Sequence, residues 1–322
     1  MRRLGVGKLL FAMLLICARS ALADLFTFTN IDVPGAYSTY ALGINNLGQI
    51  VGNYDNASGE HGFLYSGGVF TTLAILTGPG ASNPFFPVAI NDQGQIVGSA
   101  AGLTGAFASC LYSGGSCTPI IDPQSKLPVD ATGINDSGQI VGYEVGAPGL
   151  AGDIGFIDTG GTFTYFNYGN SGTQISGINN SGQIIGRCFE QNVCTFGFVE
   201  NSPYNTASCA PPNCTFLNGF PTGINDAGLI VGEFAVNNDF AGLYAGGNYI
   251  PVNDPNASPP TMSEGINNSD EIVGWYNPGS HGFLASPTTP LVPEPRTFPG
   301  LFLCLLPLAV GLRCRSKRIK QL

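Results

Sequence analysis

The chain has 322 residues, of which 46 are Gly and 23 Pro, about 21% together, and only 10% are charged; ordinary usage of the two turn formers sums to roughly 12%. That density excludes a helical bundle or coiled coil, yet falls short of the roughly 25–30% that marks an unperiodic disordered chain. The formal charge of −9 hides an asymmetry, because ten of the twelve Lys and Arg lie in residues 1–23 and 296–322; Lys126 and Arg187 alone face twenty carboxylates between Asp24 and Leu291, a body of charge −18, and a surface of that sign repels phosphate backbones and excludes nucleic acid as a partner.

Residues 1–23 open with Arg2, Arg3 and Lys8, run through an apolar stretch from Leu9 to Ala18 and close on Ala21 and Ala23. A basic start, a short apolar core and a small-x-small close predict a secretory signal peptide cut before Asp24. The apolar stretch is too short for a membrane span, which needs roughly 20 residues.

The body, residues 24–286, is built from one element repeated six times. The pattern Gly-Ile-Asn-Asx-x-Gly-x-Ile-Val-Gly begins at Gly43, Ala89, Gly133, Gly177, Gly223 and Gly265, with starts 46, 44, 44, 46 and 42 residues apart. Each copy predicts a tight β-hairpin, with apolar residues flanking an Asx-x-Gly loop whose glycine supplies a left-handed residue. In the sixth copy Asp270 replaces that glycine, and Asp is one of the few residues that tolerates the conformation. Asp92, Asp136 and Asp226 share a position with Asn46, Asn180 and Asn268, an interchange that suits a turn-forming Asx better than a charged ligand. Downstream of each hairpin comes a second pair of β-like runs, clearest at residues 61–73. Four short strands in about 44 residues is the size of a propeller blade.

The sixth unit lacks its fourth strand, and a strand-like run at residues 25–31 precedes the first hairpin as a fourth strand precedes the next hairpin elsewhere. The reading is therefore an all-β, six-bladed β-propeller closed by its N-terminal strand, which removes exposed sheet edges. An open β-solenoid is the alternative, and it leaves that strand without a partner. The hairpin with its later Gly-Phe run is similar to the HAF repeats of bacterial extracellular proteins; only His61 and His281 keep the histidine of that pattern. This resemblance implies a location and no reaction.

Six body cysteines, Cys110, Cys117, Cys188, Cys194, Cys209 and Cys214, fall into neighbours 7, 6 and 5 positions apart. An even number in an exported chain favours disulfides; the pairings Cys110–Cys117, Cys188–Cys194 and Cys209–Cys214 need the least rearrangement. No Cys-x2-Cys spacing supports a metal site, and no cofactor is expected. Phosphate-binding loops, nucleophile elbows and zinc-protease helices are absent, and no Asp-x-Asp-x-Asp-Gly loop offers calcium a site. His61 and His281 occupy equivalent repeat positions and are expected to begin strands. Phe85, Phe86 and Tyr204 are loop aromatics able to stack on sugar rings.

After the Pro-rich linker of residues 287–296 comes an apolar run from Phe298 to Leu312, then Arg313, Arg315, Lys317, Arg318 and Lys320. Together with Val292, Pro293, Glu294 and Pro295, this ordered triple resembles the PEP-CTERM sorting signal of exopolysaccharide-producing bacteria. The resemblance implies a membrane-anchored precursor, recognition by an exosortase, tail removal, and display on or release from the cell surface. Exopolysaccharide or other surface glycans are the partners it suggests. The leading expectation is a non-enzymatic binding or matrix module with no catalytic residues. The alternative is a propeller-type carbohydrate-active hydrolase or lyase, whose acids would have to meet near the axis from different units; Asp55, Glu60, Glu144, Asp153, Glu190, Glu233 and Asp239 are the carboxylates available in the loops.

Overall fold

A computed structural model describes residues 25–78, 81–100, 108–126, 129–145, 152–168, 172–189, 195–201, 213–236, 239–289 and 291. Ala21, Ala23, the Val292–Pro295 motif, Cys194, Cys209, Glu190 and Tyr204 lie outside them. Among the described residues no helix is long and apolar enough to cross a membrane.

The described chain is strand throughout. It starts with β1 (Phe26–Asn30), followed by unit one: β2 (Ser38–Ile44), β3 (Ile50–Asn56), β4 (Gly59–Ser66) and β5 (Val69–Gly78). Unit two holds β6 (Ala81–Ile90), β7 (Ile96–Ala100), β8 (Ala108–Ser113) and β9 (Ser116–Pro119). Unit three holds β10 (Val129–Ile134), β11 (Gln139–Glu144), β12 (Ile154–Thr159) and β13 (Thr162–Phe166). Unit four holds β14 (Gly172–Ile178), β15 (Ile184–Phe189), β16 (Thr195–Glu200) and β17 (Cys214–Leu217). Unit five holds β18 (Gly219–Ile224), β19 (Ile230–Val236), β20 (Asp239–Ala245) and β21 (Asn248–Pro251). Unit six holds β22 (Ser258–Ile266), β23 (Ile272–Asn277) and β24 (His281–Pro287).

Each unit is an antiparallel meander, giving an all-β, propeller-like arrangement of four-stranded sheets. Units one and two are continuous, because β5 pairs with β6 from Ala74↔Pro84 to Gly78↔Ala81 and makes one eight-stranded sheet. The N-terminal strand has the partner expected for it: β1 lies antiparallel to β24, from Phe26↔Pro287 to Asn30↔Phe283, and completes the sheet of unit six. An open solenoid would have left β1 unpaired.

The repeated motif explains the local geometry. At the hairpin tip the Asn45 amide donates to the Gln49 carbonyl and the Gly48 amide to the Asn45 carbonyl, while the Asn45 side-chain oxygen accepts from the Leu47 and Gln49 amides. The glycine after it is left-handed, φ 72° at Gly48, and Asp270 takes the same conformation at 61°. The closing glycine of the motif answers a different need. A Cβ at Gly52 would collide with the Tyr40 carbonyl oxygen, and one at Gly142 or Gly274 with the carbonyl of Asp130 or Met262. The Phe of each Gly-Phe run, as at Phe63, Phe156, Phe198 and Phe283, is fully buried between sheets, a burial worth about 1.5–3 kcal/mol per side chain.

Two closed cycles of hydrogen bonds join the six hairpins. The first uses the first Asx of each motif: the side-chain amide of Asn45 donates to the Asn91 carbonyl, and the same bond runs Asn91 to Asn135, Asn135 to Asn179, Asn179 to Asn225, Asn225 to Asn267 and Asn267 back to Asn45, at 2.9–3.2 Å. The second uses the next residue: the backbone amides of Asn46, Asp92, Asp136, Asn180, Asp226 and Asn268 each donate to the side-chain oxygen of the following member, at 2.7–2.8 Å, again returning to Asn46. Asp92, Asp136 and Asp226 stand in the turn, as expected; the residue before each supplies the side chain that closes it, and their own carboxylates bind the neighbouring unit, which either Asn or Asp can do because the bond needs only an acceptor.

The cysteine expectation is met at one pair, a disulfide joining Cys110 on β8 to Cys117 on β9 with Cα atoms 5.6 Å apart. Cys214 is also disulfide-bonded, and Cys188 is buried on β15.

Asn179, 4% exposed, donates to both Gln183 and the Asn225 carbonyl and accepts from Ser181 and Gln183. Asn179→Ala is expected to lower unfolding free energy by about 2–4 kcal/mol in denaturant titration, because it orphans several buried groups at once. A loss below about 1 kcal/mol would contradict the structural role of the first cycle.

Candidate functional site

The six motifs enclose a cavity of about 120 Å³ on the axis between them, lined by residues from all six units. Its hairpin end is bounded by the two hydrogen-bonded cycles. Further along the wall stand Leu42, Val88, Thr132, Ser176, Thr222 and Glu264, one from each unit at the same repeat position. The three hydroxyls are committed to the fold: Thr132 donates to the Ile175 carbonyl, Ser176 to the Pro221 carbonyl and Thr222 to the Ser263 carbonyl, at 2.6–2.7 Å. Glu264 is the exception, a carboxylic acid where its counterparts are apolar or hydroxylic.

Beyond that level, away from the hairpin tips, the first two strands of each unit pair residues with no common chemistry. They are Tyr40↔Asn53, Phe86↔Ser99, Asp130↔Tyr143, Gln174↔Arg187, Phe220↔Glu233 and Met262↔Trp275. The same two positions thus carry aromatic, acidic, basic and amide side chains in a frame that otherwise repeats. A bulge at the same place in each ladder, as at Ala131/Gly133 and Ser263/Gly265, separates this variable level from the constant hairpin.

Several side chains at this variable level contact one another. In units three and four, Gln174 donates to Asp153 and accepts from Arg187 Nε at 2.7 Å. The Arg187 guanidinium lies 5.8 Å from the centre of the Phe220 ring of unit five, a cation–π distance. Tyr143 hydrogen-bonds Asp130. Burial raises the Tyr143 hydroxyl above its ordinary value, with the negative charges of Asp130 and Asp153 adding to the rise and Arg187 opposing it. Asp130 is raised too, by desolvation first and by the charge of Asp153, against the hydrogen bond from Tyr143. Across the join between units six and one, Trp275 meets Tyr40 edge to face at 5.2 Å, and the Trp275 indole donates to Glu264 Oε1 at 3.0 Å.

Glu264 is the strongest electrostatic feature of the site. Desolvation by the cavity wall pushes its pKa up to about 7, the indole bond opposes that shift, and the nearby charge of Glu233 reinforces it. At neutral pH it is therefore divided between acid and carboxylate, the state a proton donor or acceptor needs. Among the described residues no group of three His, Cys, Asp or Glu is disposed to hold a metal ion.

Of the loop carboxylates singled out in the sequence, Asp153 accepts from Gln174 and Glu233 stands opposite Phe220, its charge acting on Glu264; Asp130 and Glu264 were not singled out. Asp55 and Glu60 face each other across β3 and β4 as exposed residues, Glu144 is buried on β11, and Asp239 opens β20. His281 begins β24, with Nδ1 2.9 Å from Asp32 Oδ2, and His61 on β4 bonds Ser58. Phe85 is fully buried against Tyr112, whereas Phe86 is one of the mouth pairs. The usable signal in the sequence was the unit-to-unit change at two positions inside a constant frame.

The expectation of a non-enzymatic binding or matrix module does not stand. Glu264 lines the axial cavity, burial pushes its pKa up to about 7, and the charge of Glu233 from the neighbouring unit adds to that rise. No family model matches the chain, and no curated protein matches it in sequence. Among solved structures it is similar to a protein provisionally named a gluconolactonase, with 13% identity and a TM-score of 0.46 over 82% of this chain and 92% of that one.

Proposed function

We propose that the six units form a six-bladed β-propeller closed by β1 and that the chain is a carbohydrate-active hydrolase or lyase working at the axial mouth. The observation that carries this reading is Glu264, a carboxylic acid on the cavity wall with its acidity near 7, beside Glu233 of the neighbouring unit. In the hydrolase form Glu264 gives its proton to the departing glycosidic oxygen. Glu233 takes a proton from the water whose oxygen bonds the anomeric carbon as the old bond breaks, the two-acid division of labour common to glycosidases. Tyr40, Phe220 and Trp275 supply faces for sugar rings, and Asp130, Gln174 and Arg187 supply hydrogen-bonding groups. In the same proposal residues 1–23 act as an export signal and Val292–Pro295 as an exosortase sorting motif, so that the activity works at the cell surface among glycans.

Turnover on a panel of neutral and uronate polysaccharides is the direct measurement, with reducing ends reporting hydrolysis and an absorbing unsaturated sugar reporting elimination. Glu264→Gln is expected to cut kcat at least about a hundredfold, in line with general acid catalysis, while the folded protein keeps its Tm within a few degrees. A rate for Glu264→Gln equal to that of the unaltered protein sinks the assignment.

Because the donor must be protonated and burial raises its pKa to about 7, kcat is expected to decline as pH rises through that value. A profile flat from pH 6 to 9 is incompatible with Glu264 as the donor. Replacing Pro293, Glu294 and Pro295 with alanines should leave the precursor in the membrane fraction; ordinary release would contradict sorting at that motif.

A further inference from the structure

We infer that the hairpin end of the molecule is its membrane-facing end: while the tail is attached, Asp270 clasps the C-terminal segment at Leu291 and holds the six hairpin tips toward the bilayer, so that the variable pairs face away from it. This rests on the sorting reading above and adds an orientation to it. The clasp accounts for the one irregular tip. Five copies of the motif place a left-handed glycine after the turn, Gly48, Gly94, Gly138, Gly182 and Gly228, and the sixth places Asp270 there, at φ 61°. One carboxylate oxygen of Asp270 accepts from the Asn225 side chain at 3.0 Å, a bond that Gln49, Gln95, Gln139 and Gln183 receive inside their own hairpins and that Leu229 cannot receive in unit five. The other oxygen accepts from the Leu291 amide, also at 3.0 Å. Leu291 packs its side chain against the core cluster that contains Leu229 and Ile266, and Thr288 donates to the Leu25 carbonyl. These contacts bring the last described residue to the hairpin end.

Chain length then decides the orientation. Seven steps separate Leu291 from Phe298, where the apolar run of residues 298–312 begins, and an extended chain covers at most about 25 Å in seven steps. With the hairpin end turned away from the bilayer, the tether would first cross from the tip between β22 and β23 to the outer strand β1, and then descend the length of seven-residue β24. Two strand spacings and one such strand sum to about 30 Å, beyond the reach. The hairpin end also suits proximity without adhesion. Residues 45–49, 91–95, 135–139, 179–183, 225–229 and 267–271 hold Asp92, Asp136, Asp226, Asp270 and Glu271 and no Lys or Arg, so an anionic leaflet does not attract it and the tether alone keeps it there. Loss of the clasp would free the chain back to Thr288, ten steps from Phe298, and stretch the reach to about 35 Å, enough for the body to turn over.

The test uses the full-length chain in spheroplasts of a Gram-negative host without an exosortase. Leu47→Cys marks a hairpin tip and Ala57→Cys the turn between β3 and β4 at the other end of the same unit, both exposed. Each is labelled with a bulky polyethylene glycol maleimide in the membrane and again in detergent, with the unaltered chain as background. Because thiol reaction follows exposure, Leu47→Cys is expected to react at least about fivefold more slowly in the membrane than in detergent, and Ala57→Cys equally in both. Equal rates at Leu47→Cys, or slowing at Ala57→Cys instead, overturn the orientation while leaving the anchored tail intact; a chain recovered in the soluble fraction overturns the sorting reading as well. Two variants read the clasp itself. Asp270→Gly restores the residue that the other five tips carry, and Leu291→Pro removes the donor without touching the turn. At unchanged Tm, Asp270→Gly is expected to speed hydrogen exchange of the Leu291 amide at least about tenfold, as loss of a bond to a charged group should, and both variants are expected to abolish the slowing at Leu47→Cys. Unaltered exchange in Asp270→Gly, or slowing retained in both variants, overturns the role of Asp270.

Discussion

The side-chain amide of Asn45 and its five counterparts is the interaction on which the remaining architecture rests. Its oxygen closes the hairpin inside one unit and its nitrogen reaches the carbonyl of the next, so a single side chain fixes both the local turn and the angle between units. Each such bond alone is worth about 1 kcal/mol. Closure changes what the set can do: the sixth bond, from Asn267, lands on Asn45, so no unit can tilt without breaking bonds on both sides. Asparagine is required here and aspartate is not, because the residue must donate and accept at once. At the neighbouring position only acceptance is needed, and there the sequence moves freely between Asn46, Asp92, Asp136, Asn180, Asp226 and Asn268.

With the hairpin side held so tightly, the opposite end of the same two strands is released from structural duty. The closing glycines lie against the carbonyls of Tyr40, Asp130 and Met262, a contact made with the backbone, so any side chain can stand there. Function therefore accumulates at a level where identity costs the fold nothing. The exception is Glu264, which takes a wall position where Thr132, Ser176 and Thr222 each tie one unit to the next. Unit six, like units one and two with Leu42 and Val88, lacks that tie, and it alone puts a desolvated acid there, a departure from local consistency of the kind found at functional sites. The same unit carries Asp270 in a left-handed turn, where its side chain accepts from Asn225 and Leu291 and so offsets the strain of the missing glycine.

The frame was legible in the sequence for physical reasons. Period, hairpin loop and the displaced N-terminal strand are consequences of local turn chemistry and of the need to leave no open sheet edge, and both leave marks in residue order. The pairing of β1 with β24 followed from that argument alone. The inter-unit bond made by Asp92 was not legible, because a turn and such a bond ask for the same residue types and only three-dimensional proximity reveals the second role. The site was harder still. Asp130 and Glu264 are ordinary strand residues by spacing, and nothing local says that one of them is an exposed residue beside Tyr143 and the other part of a cavity wall. What betrays them is contrast: Tyr40, Phe86, Asp130, Gln174, Phe220 and Met262 occupy one slot of an otherwise constant repeat.

Charge completes the account of the mouth. The body holds Lys126 and Arg187 against twenty carboxylates, so its field repels polyanions at long range. Arg187 does little to reverse that field, since its Nε is bonded to Gln174 and its guanidinium lies over Phe220. Its effect is local: it holds Gln174, which in turn donates to Asp153, and its charge draws the Tyr143 hydroxyl back toward its ordinary value against the pull of Asp130 and Asp153. A single cation placed in this way organises four polar side chains from two units without making the mouth attractive to anions. The glycan segments best matched to such a rim are those whose recognition depends on ring faces and hydroxyls more than on charge.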